Sequence, residues 1–310
     1  MSVTFSIVAP VFNELENIPE FYRRVREVML AAGQTWELVL VDDGSTDGST
    51  DRIRELAKND EHVRPVIFAR NFGHQVAITA GWDYARGEAV VIMDADLQDP
   101  PEVIPELIAR WREGFEVVYA IRAEREGETW FKKITAAAFY RIIYRITDVK
   151  IPVDTGDFRL LDRKVVDVLK HMRERHRFPR GMAAWVGFRQ VGVPYKRAAR
   201  FAGETKYPFK KMLKLALNAI TGFSYFPLQL ATYFGFISAG IAIVAIPVVA
   251  IMRMTGSQFF GGQATTLIAV LFLGGVQLIS LGVLGEYLGR IYDEVKGRPL
   301  YVVREGPPKD

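Results

Sequence analysis

Hydrophobic and polar positions in the first half of the chain follow two alternating periods. The apolar runs Phe5 to Val11, Trp36 to Val41, Val63 to Phe68 and Val90 to Met93 are short and rich in Val and Ile, the pattern of buried strands. Each run gives way to a polar cluster and then to apolar residues at helical spacing. Asn17 is a candidate N-cap with Pro19 in the first turn, Ile53 and Leu56 lie on one helix, and Ala77 to Ala85 forms a helix leading into the fourth strand. A helical pattern then runs from Pro101 to Gly114, and Val117 to Ile121 reads as a fifth strand ending at Arg122. Strand, loop and helix in repetition predict an α/β, doubly wound, mostly parallel sheet whose ligand sits outside the carboxyl edge.

The second half is patterned differently. Phe131 to Ile146 mixes apolar residues with Lys132, Lys133, Arg141 and Arg145 at near-helical spacing, as expected of an amphipathic helix against a membrane or a partner, or of a plain surface helix. Val153 to Leu161 places Gly156 between Asp154 and Asp157, ahead of Arg159, and reads equally as a site loop or as a loop and helix start. Arg177 to Val193 suggests an irregular strand pair. Phe209, Met212, Leu213, Ala216 and Ile220 share a helical face with Lys210, Lys211 and Lys214 elsewhere, which predicts a helix in the membrane interface.

Leu228 to Met252 and Thr266 to Leu284 carry no charge at all, and each is long enough to cross a hydrocarbon core of ~30 Å. Between them Arg253 is the single basic residue, whereas lysines precede the pair and Arg290, Lys296 and Arg298 follow it. By the positive-inside rule the loop is external and both termini are cytoplasmic. The expected layout is an α/β domain over 1–207, an interfacial helix over 208–227, a membrane hairpin over 228–289 and a cytoplasmic tail over 290–310, extended from Gly297.

Composition narrows the chemistry. Cysteine is absent, which excludes disulfides, zinc-thiolate sites and cysteine nucleophiles. The net charge is only +4, but acidic motifs concentrate in the first hundred residues and basic ones between Arg122 and Lys214. That asymmetry suits a metal-nucleotide ligand near an anionic membrane. No stripe of bases and interleaved aromatics marks a nucleic-acid module. The first ten residues have neither the basic start nor the long apolar stretch of a secretory signal, so the N-terminus is expected in the cytoplasm.

The candidate chemistry centres on Asp94-Ala95-Asp96-Leu97-Gln98-Asp99, at the end of the fourth strand. Carboxylate oxygens are hard ligands suited to Mg²⁺ or Mn²⁺, and such ions fill their remaining positions with water and substrate phosphates. Alone, an Asp-X-Asp is more often a solvated turn, and the Asn13-Glu14 and Asp42-Asp43-Gly44-Ser45 clusters could each be turns or caps. Four successive strands ending in such clusters predict one shared crevice. Downstream, Arg200, Gly203 and Lys206 could set two cations and a flexible backbone around a phosphate.

The motifs Pro10-Val-Phe-Asn-Glu14, Val41-Asp-Asp-Gly-Ser45, Arg70-Asn-Phe-Gly73, Met93-Asp-Ala-Asp-Leu-Gln-Asp-Pro-Pro101, Asp154-Thr-Gly-Asp-Phe-Arg159 and Arg200-Phe-Ala-Gly-Glu-Thr-Lys206 occur in one order over about two hundred residues. In these the chain resembles the family 2 glycosyltransferases, within them the polyprenyl-phosphate enzymes related to dolichyl-phosphate mannose synthase, and most closely the bacterial branch that loads glucose or a similar sugar onto undecaprenyl phosphate. The resemblance implies a GT-A fold, a nucleoside-diphosphate sugar donor, a divalent cation (Mg²⁺ or Mn²⁺) and inversion at the anomeric carbon. It implies nucleotide-sugar contacts at Pro10, Glu14, Asp42, Asp43, Asn71, Asp94 and Arg122, metal ligands at Asp94, Asp96 and Gln98, and an acceptor-phosphate clamp at Arg200 and Lys206. Asp157 falls nearest the sugar, as base, sugar binder or anchor for Arg159. UDP-glucose is the expected donor and undecaprenyl or dolichyl phosphate the acceptor, with a GDP-mannose enzyme or a non-catalytic sugar-binding scaffold as alternatives. A processive polysaccharide synthase would carry a Gln-X-X-Arg-Trp stretch and more spans, and the chain has neither. Two spans alone make a thin membrane domain, so homo-oligomers are an expectation too.

Overall fold

The computed structural model describes residues 3–122, 155–197, 224, 226–255 and 263–308. The chain divides into two units, residues 1–219 with 298–310, and residues 220–297.

Among the described residues the first unit is built on a mixed sheet of eight strands. In chain order these are β1 (Phe5–Val11), β2 (Trp36–Asp42), β3 (Val63–Phe68), β4 (Ala89–Ile92), β5 (Val117–Arg122), β6 (Thr155–Asp162), β7 (Gln190–Tyr195) and β8 (Val303–Glu305). Their spatial order is β7-β5-β6-β4-β1-β2-β3-β8. Strands β4, β1, β2 and β3 run parallel, as the alternating pattern predicts. Helices α1 (Ile18–Ala32), α2 (Ser49–Asn59), α3 (His74–Tyr84) and α4 (Ile104–Arg112) follow β1, β2, β3 and β4. Ile18, Phe21, Val25 and Met29 bury one stripe of α1 against the core formed with Phe5, Ile7, Leu38 and Val91. Burial on this scale stabilises by ~1.5–3 kcal/mol per large apolar side chain.

Two elements depart from the sequence expectation. Thr155–Asp162, open between a loop and a helix start, is a buried strand that runs antiparallel between β4 and β5. The strand pair expected over Arg177 to Val193 is instead a short helix, α6 (Pro179–Trp185), followed by the single strand β7; α5 (Arg163–His171) precedes it. Pro179 suits the first turn of a helix, where its missing N–H removes no bond. Residues 290–295 of the expected tail belong to helix α8; beyond Gly297 the chain is extended and adds β8 to the edge strand β3, with Tyr301 stacked on Phe68 at 5.1 Å and its hydroxyl bonded to Asp83. The helices expected over 131–146 and 208–220 lie outside the described residues.

At the start of β2, Glu37 is buried and accepts from Ser6 Oγ, the Arg86 amide and the Arg64 guanidinium at 2.6, 2.7 and 2.9 Å. Burial opposes the charge, but these donors hold the carboxyl below its ordinary range. Glu37→Ala would strand buried Arg64 and is expected to destabilise by about 3–5 kcal/mol, read as a lowered unfolding midpoint. Because the folded pKa is depressed, the wild-type contribution is present above the unfolded value near ~4.3 and is lost as pH falls through the folded one.

The second unit holds α7 (Phe226–Met254) and α8 (Gln263–Val295). Segments Phe226–Met252 and Ala269–Val295, with mean hydropathies of 2.5 and 1.7, are long and apolar enough to cross a membrane. Their apolar side chains, Phe236, Ile243 and Leu278 among them, face outward. Within the unit, Tyr287 donates its hydroxyl to the Ser224 carbonyl at 2.7 Å.

Candidate active site

The loops at the carboxyl ends of the parallel strands are joined to one another side by side. After β1, Asn13 adopts a left-handed backbone, accepts the Thr46 amide on its side chain and donates its own amide to Ser45 Oγ at 2.9 Å. Glu14 donates its amide to Ser49 Oγ. After β2, Asp42 accepts from the Ser45 amide and the Thr50 hydroxyl, which fixes the turn from within. Asp43 reaches the next loop and accepts the amides of Phe72 and Gly73 at 2.6 and 2.9 Å. Gly44 sits between the two loops at a φ of +71°, and a Cβ there would lie 2.6 Å from the Arg70 carbonyl carbon. Both the backbone conformation and the contact demand glycine. Pro10 is buried inside β1 opposite Val41, and Asn71 is exposed on the third loop.

The third loop delivers His74, the first residue of α3, to the acidic loop after β4. Its Nε2 lies 3.5 Å from Asp94 Oδ1 and 3.4 Å from Asp157 Oδ2 of β6. Arg180, near the start of α6, forks onto Asp157 through Nε at 2.8 Å and Nη2 at 3.3 Å. Two carboxylates, an imidazole and a guanidinium thus meet from four different elements. Burial works against the His74 charge, but the Asp94 and Asp157 carboxylates outweigh it and raise the imidazole to about 9. Burial would likewise raise Asp157, which is 7% exposed, yet Arg180 and His74 hold it well below the ordinary range. Asp94 is pushed up to about 6 by burial, opposed by His74 and reinforced by Asp99, Asp157 and Asp96. Arg159 does not reach the Asp157 carboxylate through a bond; its guanidinium donates to the backbone carbonyls of Gly156 and Asp157.

The acidic loop is bent at Leu97, whose φ of +62° is left-handed although the residue is not glycine. Such a conformation costs on the order of 1–2 kcal/mol and persists only when the surroundings fix it. Here the Leu97 side chain is 1% exposed in the core, so packing holds the bend. The bend returns the Gln98 amide to Asp96 Oδ1 at 3.1 Å.

The donor set fits a hard divalent cation. Asp94 Oδ1 is buried and makes no hydrogen bond among the described residues, with His74 Nε2 beside it at ion-pair distance, 3.5 Å, and Asp96 and Gln98 follow on the same bend. Among the described residues no group of three or more His, Cys, Asp or Glu could hold an ion by itself. Mg²⁺-type ions take one or two carboxylates and complete their shell with water and substrate phosphate.

Arg122, at the end of β5, has a buried Nε without a hydrogen-bond partner among the described residues. Gly156 faces it: a Cβ there would lie 3.0 Å from Arg122 Nη2. Arg200 and Lys206 lie outside the described residues. Sequence reasoning did not single out His74, Arg180, Tyr195 or Arg197, nor give Asp99 a role. His74 follows directly on the Arg70 to Gly73 motif, which is the one local signal that pointed to it.

A family model described as glycosyl transferase family 2 matches residues 6–169. The chain belongs to glycosyl transferase family 2. It is 51% identical to an uncharacterized glycosyltransferase, YkcC, of Bacillus subtilis over 98% of this chain and 94% of that one. It is 45% identical to the bactoprenol glucosyl transferase of Shigella phage SfII over 97% of each chain. Among solved structures, glucosyl-3-phosphoglycerate synthase from Mycobacterium tuberculosis with Mn²⁺, UDP and phosphoglyceric acid covers 71% of this chain and 76% of its own, at 22% identity and a TM-score of 0.48. The family 2 match spans β1 to β6 and contains the acidic loop, His74 and Asp157. The protein is therefore a glycosyltransferase, and the joined strand-end loops are where its chemistry is to be sought.

Proposed function

We propose that this glycosyltransferase moves glucose from UDP-glucose to a polyprenyl phosphate, with inversion at the anomeric carbon. The observation that carries the reading is the cluster of Asp94, His74, Asp157 and Arg180 beside the bent acidic loop. Similarity to bactoprenol glucosyl transferases over nearly the whole chain supports the sugar and the acceptor. The helices α7 and α8 support a membrane-dissolved acceptor.

Asp94, Asp96 and Gln98 would hold Mg²⁺ or Mn²⁺ against the donor diphosphate. When bound, the ion neutralises charge developing on the leaving diphosphate. Arg122, whose buried Nε makes no hydrogen bond among the described residues, contacts a donor phosphate. Asp42 and Asp43 shape the nucleotide loop from within, while Pro10, Glu14 and Asn71 line it. A lipid phosphate is already ionised at neutral pH and attacks without a strong base. Asp157, ionised and held by Arg180 and His74, accepts a sugar hydroxyl and orients the ring. Arg200 and Lys206 screen the acceptor phosphate as it approaches the diphosphate.

The domain layout over 1–207, 208–227, 228–289 and 290–310 belongs to the same proposal, with the chain on either side of the hairpin at the cytoplasmic face. The outward apolar surfaces of α7 and α8 suit lipid and further copies of the chain.

Two tests follow from these assignments. Purified protein given undecaprenyl phosphate and a panel of UDP- and GDP-sugars is expected to make lipid-linked sugar from UDP-glucose and to stop when the cation is chelated. Lipid-linked mannose from GDP-mannose in preference would overturn the donor. Gly156→Ala should crowd Arg122 and raise the KM for donor by about tenfold, about 1.4 kcal/mol, with the acceptor KM unchanged. An unchanged donor KM would remove Arg122 from the phosphate site.

A further inference from the structure

The acidic loop has a second neighbour, the end of strand β7. Strand β7 pairs with β5 so that Tyr195 stands opposite Arg122, and the next residues carry the chain past the acidic loop. Tyr195 is buried, packs edge-on against Phe158 with ring centroids 5.8 Å apart, and donates its hydroxyl to Asp99 Oδ1. Asp99 is 1% exposed. Two residues beyond Tyr195, Arg197 donates Nη2 to Gln98 Oε1 at 2.7 Å and holds Nε 3.8 Å from Asp99 Oδ1.

A guanidinium has five N–H donors and no acceptor, so only the oxygen of the Gln98 amide can face it. That contact decides which end of the amide lies where. Gln98 Oε1 has two lone pairs; Arg197 takes one and leaves the other for a second partner, while Nε2 is turned away. Without Arg197 the amide could rotate and present its NH₂ group to a cation, which repels it. Asp99, charge-paired with Arg197 and bonded by Tyr195, fixes the guanidinium in turn. Ligand oxygens oriented by such outer partners commonly lose 10–100-fold in metal affinity when the partner is removed.

We propose that Arg197 is a positioning residue for the cation: paired with Asp99, which Tyr195 holds, it orients the Gln98 side-chain amide oxygen toward the ion that Asp94 and Asp96 bind. The inference rests on the cation assignment made above and adds to it three residues, Arg197, Asp99 and Tyr195, none of which touches the ion. Asp99 is by this account an anchor and not a ligand, although it belongs to the same acidic run.

The test is a Mn²⁺ titration of the full-length detergent-solubilised protein with UDP present, followed by electron paramagnetic resonance of the free ion. Arg197→Ala is expected to weaken Mn²⁺ binding by about 10–100-fold. Arg197→Lys keeps a donor but not the fork and should fall between wild type and Arg197→Ala. In a Gln98→Ala background, Arg197→Ala should cause no further loss, because the oxygen it orients is gone. Tighter Mn²⁺ binding in Arg197→Ala would make the guanidinium a competitor and overturn the proposal. Equal losses from Arg197→Ala in the presence and absence of Gln98 would also overturn it, since a general structural effect does not depend on that amide. Asp96→Ala serves as the reference. If it weakens Mn²⁺ while Gln98→Ala does not, this proposal fails and the cation site stands. If Asp96→Ala leaves Mn²⁺ binding intact, the cation assignment itself fails.

Discussion

Asp96→Ala is expected to lower sugar transfer by on the order of 10³-fold while the protein still folds and inserts in membranes. Asp96 lies on the bend at Leu97, and its Oδ1 accepts the backbone N–H of Gln98. With Asp96 as the proposed ligand, removing its carboxylate takes one hard donor from a site that water and substrate phosphate must complete. The leaving diphosphate then develops charge that nothing at this position offsets, and one lost stabilising group of this kind costs ~10²–10³ in rate. Fold should be preserved because Leu97, not Asp96, anchors the loop in the core. Turnover near the wild-type rate at saturating Mg²⁺ or Mn²⁺ would remove Asp96 from the metal site.

The second large effect is expected at Asp157. Its carboxylate is held low in pKa by Arg180 and His74 after burial is overcome, so it is a weak proton acceptor and a strong hydrogen-bond acceptor. Asp157→Asn should therefore weaken UDP-glucose binding by about 10–100-fold, the equivalent of about 1.5–3 kcal/mol for a hydrogen bond to a charged group, and leave UDP binding unchanged. Calorimetric titration of both ligands separates the two. Loss of transfer with unchanged UDP-glucose affinity would move Asp157 from sugar binding to proton transfer.

These expectations rest on features of unequal legibility in the sequence. Strands β1 to β4 were readable because each is a short apolar run buried on both faces and closed by a polar cluster. The cation loop was readable because Asp94, Asp96 and Gln98 are neighbours in sequence. Strand β6 was not, since Thr155–Asp162 places Gly156, Asp157 and Arg159 in a fully buried strand. Those polar groups are satisfied by partners the local pattern does not contain: Arg180 for Asp157, and backbone carbonyls for Arg159. His74 and Arg180 meet at Asp157 from positions more than a hundred residues apart, and no periodicity encodes such a meeting. Arg197 is one of many basic residues between Arg122 and Lys214, and the role proposed for it depends on β7 lying beside β5, a pairing set by the sheet as a whole. Strand β8 looked merely extended because three residues at a sheet edge carry no pattern of their own.

The central claim is that an α-linked sugar on a nucleotide donor is passed to a lipid phosphate by direct attack. It is tested most directly by incubating the purified protein with labelled UDP-glucose and undecaprenyl phosphate and determining the anomeric configuration of the lipid-linked product by NMR. The account predicts β-glucosyl phosphate on the lipid, formed only with a divalent cation present. Label recovered as free glucose alone, or an α-linked lipid product, would contradict it.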